Sequence, residues 1–282
     1  MRYKTENLHR SSTLLETVTR NSVFTRGANG DIVLMAALAR FVCFCAQFDK
    51  ASFHHLRVLK YENKLKRKEE EDKILDPDFH LQFYDVQDAF LGYNSCYDTL
   101  LQAIKFAFKL VGKIETEQDF LDALANCKWN TTGDAIGIKD LLIKSYISQN
   151  SSFKNFLNKS ISFFETKRNK SSKYANNIKH NGGIIFPSLK NYIPSVSKVF
   201  DVVFMERHSN GECRFNIQEK SEPFKMECLY PMTIDSTTAI QILNTQNESI
   251  YNYTIFLFDV LKYDQLKSGE YIFPFDSNDN IL

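Results

Sequence analysis

Asn176, Lys179 and His180 sit together in the string Asn176-Asn177-Ile178-Lys179-His180-Asn181-Gly182-Gly183, at the end of a helical pattern and just before a double glycine. Asn176 and His180 are spaced i, i+4, so on a helix they share a face, with Ser172 one turn earlier. Histidine is the side chain that exchanges a proton near neutral pH, and a helix C-terminus favours its charged form. His180 therefore has the character of a general acid or a phosphate contact. Asn176 can orient the ring or bind a hydroxyl or phosphate, and Lys179 or Lys173 can balance anionic charge. The same residues also have a structural use: Asn and His at a helix end can bind the last free carbonyls while Gly182 supplies a left-handed cap.

The surroundings of this cluster are basic. From Lys154 to His180 the chain carries Lys154, Lys159, Lys167, Arg168, Lys170, Lys173 and Lys179 against the single acid Glu165. The whole chain has a formal charge of only +1, which excludes the overall field of a generic nucleic-acid or membrane-surface binder and makes any basic site local. A solvated helix face would have the same composition. Other chemistry is thin. The six cysteines show no C-x-x-C pair and read as buried free thiols. The adjacent His54 and His55 cannot share a helix face and have no carboxylate or Cys at ligand spacing, so neither a metal nor a cofactor is expected. There is no nucleophile elbow, phosphate loop or dinucleotide fingerprint.

The elements that must hold the cluster are mostly helices. Only six Pro and ten Gly interrupt 282 residues, and 24 Phe with 13 Tyr furnish a large core. Asp31 is placed to cap a helix over Ile32 to about Phe48. Its run from Ile32 to Ala46 is apolar apart from Arg40, and at 15 residues it falls short of the roughly 20 that a membrane span needs. Central packing is the expectation, with Arg40 finding a carboxylate or the rim. A second helix is predicted over Ser52–Lys73, broken by Asp76-Pro77-Asp78. A long amphipathic one follows over Phe79–Leu110, within which Gly92 permits close packing. Shorter helices are predicted near 117–125, 138–147 and 152–166, with Trp129 packing down the loop between the first two.

After Gly183 the pattern changes. Segments 199–205 and 212–217 flank Ser209-Asn210-Gly211, a hairpin signal, and Phe224–Tyr230 alternates as a third strand. Ser236 or Asp235 then caps a last helix. The prediction is a mainly α single domain over 1–282: a helical bundle at about 31–183 and 236–267, with a small antiparallel β meander at about 197–231 inserted before the C-terminal helix. A polar, charged N-terminus without a secretory pattern points to the cytoplasm and to no membrane.

The string Tyr174-Ala175-Asn176-Asn177-Ile178-Lys179-His180-Asn181-Gly182-Gly183 resembles the Arg-Asn-x-x-Lys-His-x-Gly signature at a helix end in HEPN-type helical domains. The resemblance covers about ten residues. It implies a helical bundle that dimerises or meets a protein partner and acts on RNA, in many members as a metal-independent ribonuclease of phage defence or toxin–antitoxin systems. The catalytic pair would then be His180 and Asn176. Where the pattern has arginine this chain has Ala175, so its replacement would have to be Lys173 or Arg168, with Lys179 a further substrate contact. The alternative is a non-enzymatic interaction or scaffolding protein in which the motif is a structural helix cap.

Overall fold

Asp31 starts the first long helix. Its carboxylate accepts from the Val33 and Leu34 amides at 3.0 and 3.1 Å, and α1 runs Ile32–Leu65. The computed structural model describes residues 8, 9, 14, 31–125, 127–133, 135–145, 151–180, 183–189, 203–207, 213–217 and 232–261. The break expected after Phe48 is absent. Asp49 and Lys50 are exposed while Phe48, Ala51, Ser52 and His55 continue the buried face, and no Gly or Pro stops the helix. The continuous helix is long and apolar enough to cross a membrane, its most apolar 18-residue window having a mean hydropathy of 1.8, where the shorter run read from sequence did not reach. One face of α1 is packed, and the other exposes Ile32, Met35, Val42 and Phe53. Arg40 is half-buried, and its Nε is enclosed without a hydrogen-bond partner among the described residues.

A short helix, α2 (Glu70–Ile74), leads to Asp76, whose carboxylate accepts from the Asp78 amide at 2.8 Å. Pro77 occupies the first turn of α3 (Pro77–Ala107), where its missing N–H costs nothing. α3 runs antiparallel to α1. Asp31 pairs with Lys109 at 2.6 Å, Gln47 accepts from Thr99, the His55 ring meets the Tyr93 hydroxyl at 3.0 Å, and Lys64 pairs with Asp78 at the far end. Gly92 sets the separation: a Cβ there would lie 2.8 Å from the Ala51 Cβ.

α4 (Glu117–Ala125) and α5 (Ile138–Ser145) flank the loop that Trp129 holds down, stacked on Phe164 at 4.8 Å and donating from Nε1 to Glu165 at 2.9 Å. α6 (Ser151–Ile161) passes through a wide π turn at Ser162–Lys167 into α7 (Arg168–His180). The π turn seats neighbouring Phe163 and Phe164 together in the core beside Tyr97.

The β part differs from a plain antiparallel meander. β2 (Val203–Arg207) and β3 (Cys213–Ile217) do pair antiparallel, Val203 opposite Ile217. The third strand expected at 224–230 lies outside the described residues. A second pair is parallel and was not expected: β1 (Ile184–Ile185) beside β4 (Met232–Thr233), Ile184 opposite Met232. Two-residue strands carry no alternation to read, and their pairing joins segments far apart in the chain. β4 delivers the chain to Asp235, which caps α8 (Ser236–Val260) through the Thr238 amide at 2.8 Å. α8 packs back on α1, α3 and α7, burying Leu243, Ile250 and Leu257.

Candidate functional site

The end of α7 divides its two asparagines between two tasks. Asn177 is buried, its Nδ2 donates to the Gly183 carbonyl, and the Gly183 amide donates to the Asn177 carbonyl at 3.2 Å. The same Gly183 carbonyl accepts from the Met232 amide at 3.1 Å, so Asn177 ties the helix end to the parallel pair β1–β4. Gly183 has φ +97°, a conformation that favours glycine, and a Cβ on it would meet Gln87 Oε1 at 2.9 Å. The left-handed glycine of this turn is thus Gly183; Gly182, expected in that place, lies outside the described residues.

With the turn closed by Asn177 and Gly183, Asn176 and His180 are exposed. Lys173 is exposed too, and its spacing of three and seven residues from them puts all three on one outward ridge about 10 Å long. Lys179 is exposed beside it. Arg168 is not brought to this ridge: it lies roughly 18 Å of helix rise from His180 and its Nη2 pairs with Asp98 on α3 at 2.5 Å. Ala175 is fully buried. Position 175 therefore faces the core, and Lys173 is in line with Asn176 and His180.

No family model matches this chain, and no curated protein and no solved structure matches it either.

A second cluster, which the sequence pattern did not reveal, lies between α1 and α3. His54 Nδ1 is 2.7 Å from Asp85 Oδ1 and 3.8 Å from Asp88 Oδ2. Arg57, one turn along α1, brings Nε to 2.9 Å from Asp85 Oδ2, donates from Nη2 to the Tyr61 hydroxyl, and lies 5.7 Å from the centroids of Phe53 and Tyr61. On its own helix His54 has no carboxylate at ligand spacing. The carboxylates come from α3, 31 and 34 positions on, and the one signal that bore on them was Gly92, the residue that lets the two helices approach a turn away. His55, its sequence neighbour, points the other way and is fully buried.

A cleft of about 590 Å³ between the end of α3, α4 and the 135–141 segment is lined by Lys105, Asp119, Asp122 and apolar residues such as Ile114 and Ile136. It includes no residue of the ridge or of the His54 cluster.

Proposed function

We propose that this chain is a HEPN-like bacterial cytoplasmic protein of defence or stress that contacts RNA through the α7 ridge. In this reading Lys173 and Lys179 bind phosphates, Asn176 orients the substrate or the imidazole, and His180 is the acid–base group of a metal-independent cleavage at the ribose 2′-hydroxyl. The observation that carries it is the division of labour at the helix end. Asn177 and Gly183 close the turn, which leaves His180 and Asn176 exposed in line with the exposed Lys173 rather than sealed against backbone carbonyls. RNA cleavage of this type needs acid–base groups and positive charge but no metal, and the ridge offers both.

The partner half of the reading is a second copy of the chain. The exposed positions Ile32, Met35, Ala39, Val42 and Ala46 of α1 follow the three-and-four spacing of a helix–helix seam, with Phe53 two turns on beyond the exposed Asp49 and Lys50, and Ile32, Met35 and Phe53 are each more than half exposed. A face of this kind is self-complementary under a two-fold axis.

The test is retention and cleavage of a labelled mixed RNA in EDTA by the wild type and by Lys173→Ala, Asn176→Ala, His180→Ala and Asn177→Ala. Salt-dependent binding that Lys173→Ala weakens, and cleavage that His180→Ala and Asn176→Ala abolish at unchanged stability, are the expected results. Asn177→Ala is the contrast. It is expected to lose about 1–2 kcal/mol of stability, since a buried carbonyl gives up a donor. No retention of RNA at low salt, or equal loss of stability in His180→Ala and Asn177→Ala, would return the motif to a purely structural cap.

A further inference from the structure

His54, Asp85 and Asp88 bring three donor atoms of metal-ligating type to within 4.8 Å of one another, from two helices whose backbones are held close at Ala51 and Gly92. We propose that these three residues form a site for one divalent first-row metal ion of the Zn²⁺ or Mn²⁺ class, bridging α1 and α3. The proposal is independent of the RNA reading and of the α7 ridge.

Donor chemistry selects the ion. One imidazole nitrogen with two carboxylates suits Zn²⁺, Fe²⁺ or Mn²⁺, whereas Cu⁺ would want sulfur and Ca²⁺ would want six or more oxygens. Geometry agrees. Bonds of about 2.0–2.2 Å at near-tetrahedral angles place donors roughly 3.3 Å apart. That value lies between the 2.7 Å from His54 Nδ1 to Asp85 Oδ1 and the 3.8 Å from His54 Nδ1 to Asp88 Oδ2, so small side-chain rotations suffice.

Asp85 is the enclosed member of the group. Its side chain is only 5% exposed, and its Oδ2 is enclosed without a hydrogen bond among the described residues. Arg57 Nε stands 2.9 Å from that oxygen as an ion-pair contact, without the alignment of a hydrogen bond. Arg57 thus occupies the outer position beside the carboxylate, where such groups orient a ligand, and Oδ1 is hydrogen-bonded to His54 Nδ1 at 2.7 Å, a contact that a bound ion would replace. Charge points the same way. Two carboxylates face one guanidinium across this group, and a divalent ion supplies further positive charge. Asp88, with a side chain 54% exposed, is the open side by which an ion and its remaining waters enter. Three protein ligands leave coordination positions free, as in sites where the ion polarises a substrate or activates water.

The experiment uses the full chain stripped with EDTA and dialysed, titrated with ZnCl₂ and separately with MnCl₂, read by thermal unfolding and by isothermal calorimetry. Asp88→Asn alters the exposed ligand and is expected to keep the metal-free Tm of the wild type. His54→Gln removes the nitrogen ligand. The expected result is one ion bound per chain and a rise in Tm with metal concentration for the wild type, with affinity at least tenfold weaker in each variant. Absence of binding heat and of a Tm rise in the wild type with both metals would overturn the site. So would a rise of equal size in Asp88→Asn and His54→Gln, which would leave the cluster as a structural ion pair.

Discussion

Neighbouring residues of one type do opposite things in this chain. Asn176 is exposed and Asn177 buried; His54 joins the buried Asp85 and the exposed Asp88, and His55 is enclosed against Tyr93. A helix turns about 100° per residue, so adjacent positions must part company, and which of the two enters the core depends on the neighbouring helices. For His55 the consequence is measurable. Burial pulls its imidazole down from 6.5 to about 3, because the charged form is disfavoured away from water. The folded-state value is the depressed one, so the stability His55 contributes is fully present above about pH 6.5. It is lost as pH falls toward 3, with a slope of up to about 1.4 kcal/mol per pH unit. Urea midpoints at pH 7.5, 6.0 and 5.0 are expected to fall in the wild type and to fall less in His55→Gln. Over this window the depressed carboxylates of Asp31 and Asp235 remain ionised and do not contribute. Equal slopes in the two proteins would contradict the assignment.

At the scale of elements, the α1–α3 pair is organised by one close approach. Gly92 and Ala51 let the helix backbones meet, and the short side chains of Asp85 and Asp88 reach His54 one turn away. Replacing Gly92 by Ala in a free helix would stabilise it by about 1 kcal/mol. Here the new methyl would sit 2.8 Å from the Ala51 Cβ, and the net effect is expected to be a loss of about 1–3 kcal/mol, with Tm lowered accordingly. Adding Ala51→Gly should restore part of the loss, a coupling that a thermal-denaturation double-mutant cycle would detect. A Gly92→Ala protein as stable as the wild type would mean that the helices separate at no cost. The last helix shows a second device: Asn247, fully enclosed, donates from Nδ2 to Tyr93 at 3.0 Å and Ser52 at 3.2 Å, and Gln246 reaches the Lys167 carbonyl at 3.1 Å beside the π turn. These buried amides fix the position of α8 by direction as well as by area.

At the scale of the molecule, α1 leaves an apolar strip from Ile32 to Ala46 exposed within a single copy. If that strip is the dimer seam, sedimentation at micromolar concentration will give a dimer for the wild type and a monomer for the double variant Met35→Lys, Val42→Lys. Because both side chains are about half exposed, the substitutions should change stability by no more than about 0.5 kcal/mol. A wild-type monomer, or a variant dimer, would remove the seam from the proposal.

Much of the helical architecture was legible in the chain. Asp31 and the pair Asp235-Ser236 marked two helix starts, Asp76-Pro77-Asp78 marked a break where α3 in fact begins, the apolar period marked α3, and the tyrosines and Trp129 have the pattern of packing residues. Those features are local, because caps and periodicity act within a few residues. The junction at Asp49-Lys50 looked like a helix boundary only because local polarity says nothing about a face that stays buried on either side. The parallel pair β1–β4 and the meeting of His54 with Asp85 and Asp88 were invisible for a related reason. They join residues 48 and 31 to 34 positions apart, and no local preference encodes such distances. At the ridge, composition and spacing picked out His180, Asn176 and Lys173. The tertiary fold alone decided that Asn177 carries the cap, that Ala175 faces the core, and that Arg168 is held by Asp98, because only packing determines which side of a helix meets its neighbours and which meets water.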